Sequence, residues 1–265
     1  MSYVNGNFVP MPISLETINQ LYNMNLSEDE MEEFIESKKV KIDEIKTSED
    51  VVLSQGGKDI YEKFFKYFTI KQWGVDPSKL DKSVISRIPF RKNRDTRYFT
   101  DQYQGNPQGG FTKMCENMLN HPEIKLMLNT DYKEVIDDIE YEKLIYTGPV
   151  DYYFDYKLGK LKWRSIKFIF ETYDCDSYQP VASTRWPMDY EYTRITEFKK
   201  LTGQKNEKTT ILKEIPCDGE EPFYTFPTAE WKELAQKYRE LAAQEENVIF
   251  LGRLAEYKYY DMDDV

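Results

Sequence analysis

The hydrophobic periodicity of this chain changes near residue 122, and that change sets the fold class. Before it, apolar side chains recur at helical spacing. Ser14 is placed to cap a helix whose face is Leu15, Ile18 and Leu21. Ser27-Glu28-Asp29-Glu30 reads as a capping box, with acids in the first turn where the helix dipole favours them, ahead of Met31, Phe34 and Ile35. Gly56-Gly57 breaks the chain, and Ile60, Phe64, Tyr67 and Phe68 then stripe a third helix to about residue 71. Short apolar runs follow at 124–129 and 144–147. Ile166, Phe168 and Phe170 next alternate with Lys167, Ile169 and Glu171, and 192–198 and 209–215 also read as strands. One helix, 228 to about 244, carries Trp231, Leu234, Tyr238 and Leu241 on one face, and 247–251 is a further strand. The expectation is an α+β chain: a helical part followed by a mainly antiparallel sheet, with some α/β elements.

Composition removes several functions. The chain has 265 residues, of which 40% are hydrophobic, including 21 Tyr, 15 Phe and 4 Trp, so it holds enough apolar surface for a core and is not disordered. No stretch approaches the ~20 apolar residues of a membrane helix, and the N-terminus lacks the pattern of a signal peptide. With 36 Lys plus Arg against 47 Asp plus Glu, the net charge of −11 disfavours nucleic acid as a partner. Cys115, Cys175 and Cys217 are few and far apart, which points to a reducing, cytoplasmic setting rather than a disulfide framework. His121 is the single histidine and sits in an Asn-His-Pro turn, so neither a zinc site nor a histidine-based catalytic group is expected. The 12 glycines form no G-x-G-x-x-G and no phosphate-binding loop; Gly109-Gly110 before a helix at 111–119 is a weak anion-site signal.

The chemistry concentrates in residues 87–98, where Arg87, Arg91, Lys92, Arg94 and Arg97 place five cations on an acidic chain. Pro89 and the polar run 92–96 argue for a loop. Its arginines suit a phosphate ligand, or else pair with surface acids. Arg164 and Arg194 lie in apolar strand-like segments, where a guanidinium needs an anionic partner, internal or ligand. Trp163, Tyr192, Tyr224, Tyr257 and Tyr259 suit the walls of a pocket that stacks a base or sugar, or the filling of a core. Asp174-Cys175-Asp176 has the D-x-D form of a metal-dependent glycosyltransferase, against a simple turn after the preceding strand.

Several of these segments resemble one family. Phe64-Phe65-x-x-Phe68-Thr69-x-Lys71-Gln72-Trp73-Gly74 is similar to a signature of UDP-galactopyranose mutases, the flavoenzymes that interconvert UDP-galactopyranose and UDP-galactofuranose. The resemblance continues through Arg87, Asn93-Arg94-Asp95-x-Arg97-Tyr98-Phe99, Tyr103-Gln104-Gly105 and Tyr146-Thr147-Gly148-Pro149. Phe154-Asp155-Tyr156, Trp163-Arg164-Ser165, Tyr192-Thr193-Arg194-Ile195-Thr196-Glu197-Phe198, Gly252-Arg253-Leu254 and Tyr257-Lys258-Tyr259-Tyr260-Asp261-Met262 extend it along the whole chain. It implies that Phe64, Phe65, Phe68, Thr69 and Trp73 line the uridine and sugar pocket. Arg87, on a mobile loop at about 84–98, and Arg194 would be the catalytic arginines on the diphosphate. Tyr98, Tyr224 and Tyr259 would hold diphosphate or sugar, with Arg164 adding positive potential. Arg253, Asp261 and Met262 would face the flavin. The implied cofactor is reduced FAD, whose N5 attacks the anomeric carbon of the sugar; the implied substrate is UDP-galactose and the implied assembly a homodimer.

Two positions depart from the family. Phe68 stands where a tyrosine is common, and Arg185 stands where an asparagine contacts the substrate, so Arg185 is counted with the substrate-binding residues as an added cation. Family members also begin with a strand, a Gly-rich turn and a helix that hold FAD, and continue past Val265. The chain is therefore expected to be a fragment that binds FAD weakly or not at all and is not active alone, or a UDP-sugar-binding remnant without catalysis. Its expected parts are a helical domain at 1–105, partial flavin-domain elements at 106–149, an antiparallel substrate-binding sheet at 150–226, and a helix–strand return at 227–265.

Overall fold

The computed structural model describes residues 1–265, the side chain of Asp263 excepted. The chain opens with a hairpin, β1 (Ser2–Val4) and β2 (Asn7–Val9), turned at Asn5-Gly6 with both residues at positive φ. This corrects the reading of the first hundred residues as helical. Strands of three residues carry no periodicity, and the Asn-Gly pair was the available signal.

Helices α1 (Leu15–Tyr22) and α2 (Glu28–Glu36) start at capping boxes, Ser14 with Thr17 and Ser27 with Glu30. Helix α3 (Ser48–Ile60) kinks at Gly57, whose φ is 75°. A Cβ there would stand 2.1 Å from the carbonyl oxygen of Lys38, so only glycine permits the approach. The helix then continues as a π-helical stretch, Tyr61–Lys66, into α4 (Tyr67–Trp73), which ends at left-handed Gly74. After α5 (Ser83–Ser86) comes α6 (Gly110–Leu119), exposed along its length. The run at 124–129 forms no strand, and Leu126, Met127 and Leu128 are exposed.

The remainder is β3 (Leu144–Tyr146), α7 (Val150–Tyr153), β4 (Trp163–Tyr173), β5 (Ser183–Arg185), β6 (Arg194–Glu197), α8 (Phe198–Thr202) and β7 (Thr209–Asp218). It closes with β8 (Tyr224–Thr225), α9 (Ala229–Ala242), β9 (Val248–Phe250) and α10 (Arg253–Glu256). Seven strands form one sheet in the order β2-β1-β5-β6-β7-β4-β8, antiparallel except at β1–β5. β3 and β9 form a separate parallel pair. The architecture is the α+β arrangement implied by the sequence.

Three apolar clusters hold it. One lies among the helices, around Ile13, Leu15, Ile18, Met31, Ile35 and Leu80. A second lies under α9, where Tyr238 and Ala235 meet Val150, Leu161, Trp163 and Tyr257. The smallest joins Trp186, Ile195 and Ile211 beside the N-terminal hairpin.

Candidate active site

The π-helical turn and α4 bring the signature residues to one wall of a cleft. Phe64, Phe65, Phe68, Thr69 and Trp73 all line it, and Phe64, Phe65, Thr69 and Trp73 are otherwise buried. A π-helical turn inside an α-helix shifts the following side chains around the axis, and such turns recur at functional sites. Trp73 packs edge-on against Tyr224 and Tyr259, which line the same cleft, with ring centroids 5.3–5.8 Å apart. Tyr98 lines it as well.

Three guanidinium groups reach this cleft, from Arg87, Arg185 and Arg194. The sheet sets the latter two: Arg185 on β5 pairs in register with Arg194 on β6, and Arg194 with Glu214 on β7. Arg194 Nη1 lies 3.6 Å from Glu214 Oε1. The Arg185 guanidinium lies 5.1 Å from the Phe68 ring centre and 5.5 Å from that of Tyr98. Among the described residues it forms no ion pair with a carboxylate. Burial pushes its pKa down, Tyr98 opposes that shift, and the like charge of Arg194 adds to it.

Arg87 is differently engaged. Its Nη1 donates to Asp261 Oδ1 at 2.8 Å, its Nη2 donates to the Tyr259 hydroxyl at 2.5 Å, and the guanidinium stacks 4.4 Å from the Tyr259 ring centre. Arg253 lies on the same ring at 5.1 Å and 3.7 Å from Asp261 Oδ1. Arg253 and Asp261 thus sit beside the cleft's Tyr259 edge, while Met262 is 80% exposed and is not among the residues lining the cleft.

Arg164 stands apart from the cleft. It is buried, donates from Nε to Gln72 O at 3.0 Å and from Nη2 to Lys71 O at 2.9 Å, and pairs with Asp218 at 2.5 Å. Its donors go to the last carbonyls of α4, which have no helical partners, and its charge to the exposed carboxylate of Asp218. The expected convergence of residues 87, 164 and 194 therefore becomes a convergence of 87, 185 and 194. The other loop cations also lie outside: Arg91 and Arg97 pair with Asp95, Lys92 with Glu32 and Arg94 with Glu16. Of the aromatics weighed from the sequence, Tyr224 and Tyr259 reach the cleft, whereas Trp163 and Tyr257 fill the core under α9 and Tyr192 borders the smallest cluster.

Gln72, Val84, Ile85 and Ile88 also line the cleft and went unread in the sequence. Gln72 lies inside the signature; the aliphatic side chains carry no chemical mark. Asp174 and Asp176 pair with Lys208 and Lys199 in an exposed turn, and among the described residues no group of three or more acidic, cysteine or histidine side chains could hold a metal. His121 is exposed in its turn, its Nδ1 accepting from Glu123 N at 3.2 Å.

Fold and cleft together define an α+β protein with an aromatic-walled, cationic ligand site. A sequence model of UDP-galactopyranose mutase matches residues 63–259. A probable UDP-galactopyranose mutase of Klebsiella pneumoniae is 39% identical over 98% of this chain and 69% of its own length. A dTDP-fucopyranose mutase of Escherichia coli is 35% identical over 97% of this chain and 71% of its own length, and a UDP-galactopyranose mutase of Mycoplasma pneumoniae is 31% identical over 76% and 55%. The crystal structure of a reduced UDP-galactopyranose mutase shares the fold, with a TM-score of 0.66 at 15% identity over 97% of this chain and 72% of that one. The chain belongs to the UDP-galactopyranose mutase family, a family of isomerases.

Proposed function

We propose that the cleft binds a nucleoside-diphosphate hexose, UDP-galactose in the first instance, for interconversion of its pyranose and furanose forms. The observation that carries this reading is the meeting of Arg87, Arg185 and Arg194 between Phe68, Trp73, Tyr224 and Tyr259. Phe64, Phe65, Phe68 and Thr69 would receive the nucleoside. Arg194 and Arg185 would hold the diphosphate, with Arg87 joining from the end of α5 and Tyr98, Tyr224 and Tyr259 donating hydroxyl hydrogen bonds. Cations on the diphosphate stabilise it as a leaving group, which is this chain's share of the chemistry. Arg164 supports α4 rather than the ligand. One relative is named for dTDP-fucopyranose, so dTDP-fucose is the natural second substrate to test.

The family implies a flavin, which when bound supplies the nucleophile for the anomeric carbon. The residues present fit it in part. Arg253 and Asp261 lie beside Tyr259 and would face a flavin ring. No Gly-rich strand–turn–helix that would cradle the cofactor's own phosphates occurs among the described residues. The parallel pair β3–β9 is covered on one face, where Tyr146 meets Phe250, and bare on the other, where Ile145 and Ile249 are 59% and 48% exposed. Parallel strands are ordinarily covered on both faces. These features support the reading of the chain as the substrate-binding portion of a mutase, with residues 106–149 and 227–265 as partial flavin-domain elements, and with weak FAD binding of its own.

The test is turnover of UDP-galactopyranose by the chain with added FAD and dithionite, alongside UDP binding. UDP bound without turnover is the outcome expected of a substrate-binding portion. Tight stoichiometric FAD in equilibrium dialysis would contradict the partial-site reading. Absence of UDP binding would contradict the function.

A further inference from the structure

We infer that Lys71 is a positioning residue: its ammonium gathers the loop between β5 and β6 and so fixes Arg185 and Arg194, which stand at the two ends of that loop. The inference rests on the reading of the cleft as a diphosphate site. Lys71 Nζ donates to Trp186 O at 2.5 Å, Tyr190 O at 2.9 Å and Tyr192 O at 3.1 Å. Three acceptors are the full complement of an ammonium's donors. The carbonyls come from the loop joining β5, which ends at Arg185, to β6, which begins at Arg194. Carbonyl oxygens directed at one point repel one another unless a cation stands between them, so the shape of this loop depends on the charge.

Lys71 is well placed for that work. It lies on α4 between Thr69 and Gln72, both cleft residues, and Arg164 holds its backbone carbonyl from β4. The same helical turn is thus tied to β4 on one side and to the arginine-bearing loop on the other. No carboxylate pairs with Lys71 among the described residues. The titratable groups near it are Asp189, Tyr190 and Tyr192 of the loop and Tyr67 of its own helix, and Asp189 is the acid whose charge acts on it. Burial pushes its pKa down to about 8, against the smaller upward pull of Asp189. A neutral amine keeps two N–H groups and turns a lone pair toward the third carbonyl oxygen, which would loosen the loop.

Two measurements on the full chain and Lys71→Met test this. Hydrogen exchange at fixed pH is expected to speed up at amides 186–193 in the variant and stay unchanged in β4 and β7; equal exchange in the loop would overturn the inference whatever the ligand does. UDP titration from pH 6.5 to 9.5 is expected to show the variant binding about tenfold more weakly at low pH. The ratio of the two affinities should then fall toward one above pH 9, because ionisation of the ligand and of other groups is shared by both proteins. Intact UDP binding with a ratio that does not change with pH would overturn the Lys71 role and leave the proposed function standing. Loosened loop amides with no UDP binding by either protein would overturn the proposed function and leave Lys71 as the loop's anchor.

Discussion

Arg87 and Asp261 are hydrogen-bonded across 174 positions of sequence, Nη1 to Oδ1 at 2.8 Å, with the Tyr259 ring beneath the guanidinium. The carboxylate holds the cation that an incoming diphosphate would claim. Asp261→Asn should therefore tighten UDP binding several-fold, and Arg87→Ala should weaken it about tenfold or more, the scale of losing a charge-assisted hydrogen bond. Calorimetric titration measures both, and weaker binding in Asp261→Asn would show that the two anions do not compete.

Arg185 faces Arg194 in register and, among the described residues, pairs with no carboxylate. Like charges directly opposite one another on neighbouring strands destabilise a sheet. Arg185→Asn should raise the melting temperature of the free chain and reduce the further rise produced by saturating UDP. A variant that melts lower and binds UDP as well as the parent would mark Arg185 as a structural residue.

Gly57→Ala should be severe. The backbone there, at φ 75° and ψ −176°, is a conformation open essentially to glycine alone, and the added methyl would meet the Lys38 carbonyl at 2.1 Å, so a loss above ~2 kcal/mol in urea unfolding is expected. Gly203→Ala is the control. Its φ of 72° is similar, but its ψ of 13° is the ordinary left-handed helical value and nothing lies within 4 Å, so only the ~1 kcal/mol cost of that milder conformation applies. Equal losses would mean that the contact with Lys38 is not the cause.

Asp81 joins the helical part to α9 through Lys232 at 3.0 Å. Burial disfavours its charge, but hydrogen bonds from Ser83 and Lys232 outweigh that and hold its pKa down to about 2. A depressed carboxyl pKa stabilises the fold at pH values above the ordinary value of ~3.9 and loses that contribution as pH falls toward 2. Asp81→Asn should thus lower stability at pH 6 and bring it close to the parent at pH 2. A constant difference across that range would exclude the ionised carboxylate as the source.

The sequence was most legible where local rules decide structure. The caps at Ser14 and Ser27, the aromatic stripe from Ile60 to Phe68 and the helix bearing Tyr238 follow from side-chain spacing and short-range hydrogen bonds. Tertiary pairing decided the rest. β1 and β2 pair with each other across the Asn5-Gly6 turn, and β1 joins the sheet at Ser2 opposite Arg185, which three residues cannot announce. Arg164 and Arg194 look alike in sequence, each among apolar neighbours. One meets the end of α4 and Asp218, the other opens on the cleft, and only the sheet register separates them. The five loop cations divide in the same way, four finding acids nearby and Arg87 reaching Asp261.

The central claim is that Arg87, Arg185 and Arg194 make one diphosphate site. Titration of UDP and of uridine into the parent chain and Arg194→Ala at 0.15 M salt tests it most directly. Saturable UDP binding by the parent is expected, at least about tenfold weaker in the variant, with uridine affinity unchanged by the substitution. A folded parent that does not bind UDP, or an Arg194→Ala chain that binds it equally well, would contradict the claim.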